Sequence, residues 1–590
     1  MQRSESSYSV VIIISSLLIV LVSFFYVFSA GTFFEIGIFP LEERATFHKS
    51  FHTYVFNQFV DNLIITISTL AWIATSVFGK TRTFSLLIYG AVALAAFGLN
   101  VPPLLVMVIF VSLPVIVGFL VCNRFSIMKI STRHNLTFAF FAILGIGLGG
   151  FSLLVSGSTL FSSTLDVADY AFQIFILVSV LSPALLVFLV AGSTVKLLAM
   201  RLFNKLSLKK INSELSSHKL NAKIKILYLI SFMLMSIILV LIPHYPTVNP
   251  ENELVGSDSV DYQRWMNKLS STDSMEFFNQ IFFIQSSGDR PIPLLLFFPI
   301  VEVFNSFSAQ TIDYLPIILS PILVLVVFFL TRELTSNDVT SLFASFLTAI
   351  SFHTLIGVYA GIYANWLAII IGYSAFIFLI KFLKIPSKKN YIIFSILLFF
   401  LLFSHVYTWT VLTLFMFIFL GVSYRLKFFE TKKIIVIALI LSASVVVDIS
   451  KSFFTDSVGG IEQDVSIAKK MITAENVFVI GKNLIDSIQL FAGGQLGNVL
   501  ILSLCVCWLL MSKFYSIPNI FIGVFFSIAL LPVLFGEEVI QTRVLYNIPF
   551  QIPAAISLTY FINRSYGKLI ILSICILIFA MSIKSVLNFV

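Results

Sequence analysis

Charged side chains make up only 11% of this 590-residue chain, and that scarcity excludes more than any motif does. With 58% of residues hydrophobic and a mean hydropathy of +1.02, a water-soluble fold would leave much of its apolar surface wet. Cysteine is rarer still. Cys122, Cys505, Cys507 and Cys575 all fall within or at the ends of apolar runs, and Cys505 and Cys507 stand too close for an ordinary bridge. They set no disulfide framework and no metal site. Glycine nowhere clusters into a nucleotide-binding loop, and neither a low-complexity tract nor a soluble domain interrupts the chain. The basic excess, 37 Lys and Arg against 28 Asp and Glu, does not point to nucleic acid. Most of those cations occupy short links between apolar runs, where they orient a membrane protein.

What the chain has in quantity is apolar runs of about 18 to 25 residues, each long enough to cross roughly 30 Å of hydrocarbon as helix. The fold class is therefore all-α, a polytopic membrane protein with about 17 transmembrane helices. Six runs, 9–30, 62–78, 84–98, 101–121, 136–155 and 171–198, form an N-terminal module within residues 1–200. The first of them is kept as a span because its core is nearer twenty residues than the roughly ten of a signal peptide. Residues 201–225, with Lys205, Lys209, Lys210, Lys219 and Lys223, are a basic cytoplasmic linker. A second module, 226–590, carries runs at 226–242, 314–330, 340–355, 364–380, 391–404, 408–422, 434–447, 499–510, 520–534, 545–561 and 569–587. Its two long loops, 243–313 and 448–495, fall on the side opposite the basic links, so the N-terminus is expected inside and the loops outside the cell membrane.

One rim collects the reactive side chains. In Gly256-Ser-Asp258-Ser-Val-Asp261-Tyr262 the two carboxylates stand one helical turn apart, just beyond a span. Two readings are open: Ser257 and Asp258 cap a helix, or Asp258 and Asp261 do acid–base chemistry, with Asp258 as general base toward an acceptor hydroxyl. Arg543 follows Glu537 and Glu538 where the chain re-enters the membrane; it either pairs with one of them or clamps a phosphate. His405 lies with Tyr407 and Trp409 in a tight hairpin inside a long apolar stretch. It reads as a hydrogen-bonded structural residue or as a donor to phosphate. His353, Tyr363 and Asn365 read similarly, as packing or as the lining of something polar.

An acidic motif in the first large outer loop of an eleven-span module resembles the GT-C superfamily of integral-membrane glycosyltransferases, which includes protein O-mannosyltransferases. Gly256 to Tyr262, Asp289-Arg-Pro-Ile-Pro293, Ser404 to Trp409 and Gln541-Thr-Arg543 look like the pattern of archaeal members, over about residues 223–590. The resemblance implies a hexosyl- or pentosyltransferase that uses a polyprenyl (dolichyl-type) phosphate sugar and a protein or lipid acceptor on the extracytoplasmic face. In that scheme Asp258 is the base, Arg543 and His405 meet the donor phosphate, and Tyr262, His353, Tyr363, Asn365, Tyr407, Trp409, Glu537 and Glu538 line the cavity. The acidic pair is not consecutive as in many members, and the Trp-Trp-Asp-Tyr-Gly signature of oligosaccharyltransferases is absent, which favours a single-sugar transferase. No cofactor is required; a divalent cation at Asp258 and Asp261 stays open. The rival readings are a transporter or flippase of lipid-linked sugars or small solutes, and a non-catalytic assembly subunit. A transporter places its ionisable groups near mid-membrane rather than at a rim.

Overall fold

A computed structural model describes residues 186–198 in part, 219–285, 289–305, 311–453, 499–529, 538–562 and 567–587, short of a few single positions within these ranges. The predicted N-terminal spans before residue 186, most of the loop 448–495, Glu537 and the side chain of Glu538 lie outside the described residues. By its contacts the chain divides into two compact units. The described part of one is chiefly the long C-terminal helix from Gly567; the other holds residues 190–492, 496–560 and 585–590 and everything discussed below.

The described residues of this larger unit are helical throughout, with no strand among them. In chain order the helices are α1 (Ala222–Leu241), α2 (Ser259–Ser270), α3 (Pro291–Asn305), α4 (Pro316–Thr335), α5 (Asp338–Ala349), α6 (Phe352–Tyr359), α7 (Tyr363–Lys384) and α8 (Lys388–Leu402). There follow α9 (Val406–Arg425), α10 (Thr431–Lys451), α11 (Val499–Met511), α12 (Ile517–Ile528), α13 (Glu538–Tyr546) and α14 (Gln551–Ile562). Six stretches among the described residues are long and apolar enough to cross a membrane: Ala222–His244, Thr311–Thr335, Asp338–Tyr359, Tyr363–Lys384, Val406–Arg425 and Thr431–Lys451. α4 is the hub, packed against α1, α5 and α7. α1 and α10 leave most of their apolar surface uncovered within the fold.

Polar side chains set the helix starts. Asn337 Oδ1 accepts from the amides of Val339 (2.9 Å) and Thr340 (3.1 Å) to open α5, Asn221 does the same for α1, and Ser387 for α8. Two expected spans are not single helices. The stretch expected at 340–355 breaks at Ile350 and Ser351, where the Thr354 hydroxyl donates to the Thr348 carbonyl (2.9 Å) and so satisfies a group that the break frees. The one expected at 545–561 is divided between α13 and α14 around Pro549, and the Tyr373 hydroxyl donates to the Asn547 carbonyl (3.0 Å). Likewise 243–313, expected to be a polar loop with helices, contains the apolar α3, about 22 Å long and too short to cross alone.

Because α4, α5–α6 and α7 run up and down in turn, their ends fall into two groups. At one end Asp338 joins Lys225 (3.2 Å) and Arg332 (3.1 Å), and Lys384 joins Glu333 (3.1 Å). At the other end lie Asp258, Asp313, the α6–α7 turn and His405. The basic links and the acidic loop thus occupy opposite ends of the bundle.

Asp338 is nearly buried between two cations, whereas Glu430, paired with Lys433, is 72% exposed. We expect Asp338→Ala to cost about 2–3 kcal/mol and Glu430→Ala less than about 1 kcal/mol, read as shifts in thermal unfolding of the protein in detergent.

Candidate active site

The site begins with two glycines. Gly361, in the turn between α6 and α7, has φ +64°, a left-handed conformation that glycine adopts without steric cost. A Cβ on Gly361 would stand 2.9 Å from the Ser259 amide nitrogen, and one on Gly256 would stand 2.7 Å from the Gly361 Cα. Only two bare backbones can pass this closely. Across the contact the amides of Ser257 and Asp258 donate to the carbonyls of Tyr359 (3.1 Å) and Ala360 (3.0 Å), and Ser257 Oγ also donates to Ala360 (2.9 Å). The carbonyls left open at the end of α6 are thereby closed by the loop that leads into α2.

Buried hydroxyls lock this join. Tyr363 donates to Asp313 Oδ1 (3.2 Å) and bonds with Ser259 Oγ (2.9 Å), while Asp313 Oδ2 accepts from the Val255 amide (2.7 Å). Tyr262 Oη accepts from the Ala364 amide (2.9 Å), and the Tyr262 ring packs on Tyr363 and Trp265. Tyr262 and Tyr363, expected to line a cavity, are fully buried and support the loop.

The capping reading of Asp258 is not realised. Asp258 occupies the cap position of α2, yet its side chain makes no cap bond. The first amides of the helix are already met by main-chain carbonyls: Ser259 to Gly256 (3.0 Å), and Asp261 to Asp258 (3.1 Å). The half-buried Asp258 carboxylate accepts no hydrogen bond among the described residues. Burial pushes its pKa above the ordinary aspartate range, Arg290 and then Arg543 pull it back, and Asp261 adds a small upward push. Asp261 itself turns to solvent and pairs with Arg264 (3.3 Å).

Both cations near Asp258 rest on aromatic faces. The Arg543 guanidinium lies 4.4 Å from the Tyr407 ring centre, and that of Arg290 lies 5.5 Å from Trp265. Arg290 also makes a long 3.4 Å contact to Tyr262 Oη. Neither guanidinium has an ion pair among the described residues. Arg290 is not among the site residues expected from the sequence, although a cation directly before Pro291, in a loop with an acidic excess, is a usable signal.

His405 caps α9: its Nδ1 accepts from the Thr408 amide (3.2 Å). The same Nδ1 also meets the Thr408 hydroxyl (2.9 Å). Burial, then Arg543 and Arg290, hold the imidazole well below the usual histidine range, hence uncharged. Its Nε2 has no hydrogen bond among the described residues. The Thr408 hydroxyl also binds Asn365 Oδ1, which ties α9 to α7 and leaves the Asn365 amide nitrogen buried without a partner among the described residues.

The structure therefore brings Asp258, Arg543 and His405 under one electrostatic influence and adds Arg290, with half-buried Tyr407 beneath Arg543. His353 belongs elsewhere. It is fully buried, its Nδ1 meets Gln551 Nε2 (3.2 Å), and its ring packs on Phe352 and Tyr546. Trp409 is likewise fully buried. At the carboxylate pair where a divalent cation is left open by the sequence, Asp261 faces Arg264 and two guanidinium charges act on Asp258. No group of three metal-binding side chains occurs among the described residues. No family model matches the chain, and no curated protein matches it in a sequence search.

The closeness at Gly361 gives a direct test. Gly361→Ala forces a Cβ against the Ser259 amide at a left-handed position, and we expect a loss of about 1–3 kcal/mol in thermal unfolding. Gly421→Ala, where a Cβ meets nothing within 4 Å, should leave the transition within about 0.5 kcal/mol or raise it.

Proposed function

We propose that this chain is a membrane glycosyltransferase of the GT-C type, which moves a single sugar from a polyprenyl phosphate donor to a protein or lipid hydroxyl at the outer face of the cell membrane. The observation that carries the reading is the half-buried Asp258 carboxylate, without a hydrogen bond among the described residues and under the influence of two guanidiniums that have no ion pair among them. Burial makes the carboxylate a stronger base than aspartate in water, and the guanidiniums oppose that rise by favouring its ionised form. The acceptor oxygen attacks the anomeric carbon, its proton passes to Asp258, and the bond from that carbon to the phosphate oxygen breaks. Polyprenyl phosphate leaves with the electron pair.

Arg543 and Arg290 oppose the charge that grows on the leaving phosphate. The neutral His405 ring, in the tautomer that carries its hydrogen on Nε2, supplies a donor to the same oxygens, and Asn365 offers an amide N–H that has no partner among the described residues. Asp261 is left with an electrostatic part only, since its carboxylate is turned outward to Arg264. The position of these groups beyond the ends of the six apolar stretches suits a lipid whose charge rides at head-group level, and weighs against a mid-membrane carrier site. The full complement of about 17 spans, with the N-terminus cytoplasmic, belongs to this proposal.

The test uses purified full-length protein in liposomes with polyprenyl-phosphate hexoses and pentoses, and measures release of polyprenyl phosphate. Asp258→Asn should lower turnover at least about 100-fold while donor binding persists. Turnover that survives both Asp258→Asn and Asp258→Ala removes the base from the mechanism.

A second expectation concerns pH. The base works only when deprotonated, so kcat/KM falls as pH drops through the Asp258 pKa, which burial sets above the roughly 3.9 of aspartate in water. Arg290→Gln removes the larger of the two influences that lower that pKa, and the acid limb should move to higher pH. A limb that stays in place or moves down contradicts the assignment.

A further inference from the structure

The chain between α2 and α3 is built inside out. Gln280 and Gln285 are buried, 7% and 6% exposed, and bond to each other from Nε2 to Oε1 (3.3 Å). Around them Met275, Phe278, Phe283 and Ile284 stand 96%, 62%, 50% and 51% exposed. A segment that faces water has the reverse arrangement, because amides gain hydrogen bonds outside and large apolar groups gain by burial. Single exposed hydrophobic residues need no explanation, but four within one short segment, paired with two buried glutamines, do.

The location of the segment supplies the explanation. Its turn Gln280–Ile284 packs on α3, and the amide of Ile292 in α3 donates to the Phe403 carbonyl (3.1 Å) in the turn before α9. The segment is thus held at the end of the bundle where the apolar stretches Thr311–Thr335 and Val406–Arg425 begin. That level is where the hydrocarbon of a bilayer gives way to head groups, the zone in which aromatic side chains concentrate. Charge is informative too. Between Lys268 and Arg290 the chain carries Asp273, Glu276 and Asp289 and no cation, so nothing here recruits anionic lipid.

We infer that residues 274–285 lie in the interfacial layer of the membrane, with Met275, Phe278, Phe283 and Ile284 among the acyl chains. Apolar contact holds the segment there, and electrostatic attraction plays no part. The inference is independent of the sugar-transfer reading: it concerns the surface between the helices that carry Asp258 and Arg290, whatever chemistry they perform.

The experiment places a nitroxide at position 275, 278 or 283 of the full-length protein, one at a time, after reconstitution into phosphatidylcholine bilayers. The four native cysteines are replaced by alanine; if that background does not fold, they are kept and an unsubstituted control is subtracted. Power-saturation EPR then compares collisions with oxygen, which favours lipid, and with a water-soluble nickel chelate. Labels at 275, 278 and 283 should favour oxygen, and one at Arg264, 72% exposed on α2, should favour nickel. The oxygen preference should persist at about 1 M salt, where the Debye length falls to about 3 Å. Nickel preference at 275, 278 and 283 overturns the inference, and so does exclusion of both reagents, which would mean that another part of the chain or a protein covers the segment. Dependence on anionic lipid or low salt overturns its apolar basis.

Discussion

The geometry of the candidate site depends on how closely two backbones pass at Gly256 and Gly361. With no Cβ on either, the loop before α2 reaches the carbonyls at the end of α6, and Ser257 and Asp258 close them with their amides. At the start of α2 the amides of Ser259 and Asp261 are met by the local carbonyls of Gly256 and Asp258, and the Asp258 carboxylate makes no cap bond. Tyr363, Ser259 and Asp313 hold the join from beneath, so its geometry is set by buried hydrogen bonds rather than by a surface loop.

Around that carboxylate, burial and then Arg290 disfavour the charge on Arg543, while Tyr407 and Asp258 favour it. Stacking on Trp265 and Tyr407 sets the planes of Arg290 and Arg543, and neither guanidinium has an ion pair among the described residues. A buried neutral histidine beside two guanidiniums is consistent with the same field, since a third positive charge there would be repelled.

The bundle also separates its two kinds of charge. Ion pairs at Asp338 and Glu333 tie the basic ends of the helices together, while the opposite end carries the acidic loop, its short apolar helix and its inverted segment with Phe278 and Phe283 outward. In water such an inversion is costly. Against lipid it is the expected arrangement, because the solvent outside is itself apolar.

Hydropathy alone determined the helical, multi-pass character, since runs of apolar residues leave a backbone in lipid with helix as its economical hydrogen-bonding solution. Periodic basic links likewise gave the two-ended charge pattern, and the motif around Asp258 was visible as a carboxylate pair out of keeping with so greasy a chain. The breaks at Ile350–Ser351 and near Pro549 were not read, because composition measures how apolar a stretch is and not which neighbour will satisfy a freed carbonyl. Nor does spacing distinguish Asp258 from Asp261: at i and i+3 both fit one helical face, and only in the packed helices is Asp258 half-buried while Asp261 faces solvent and Arg264. Arg290 joined the site, and His353 left it, for the same reason. Partners distant in sequence decide where a side chain points, and only the packed helices bring those partners into reach.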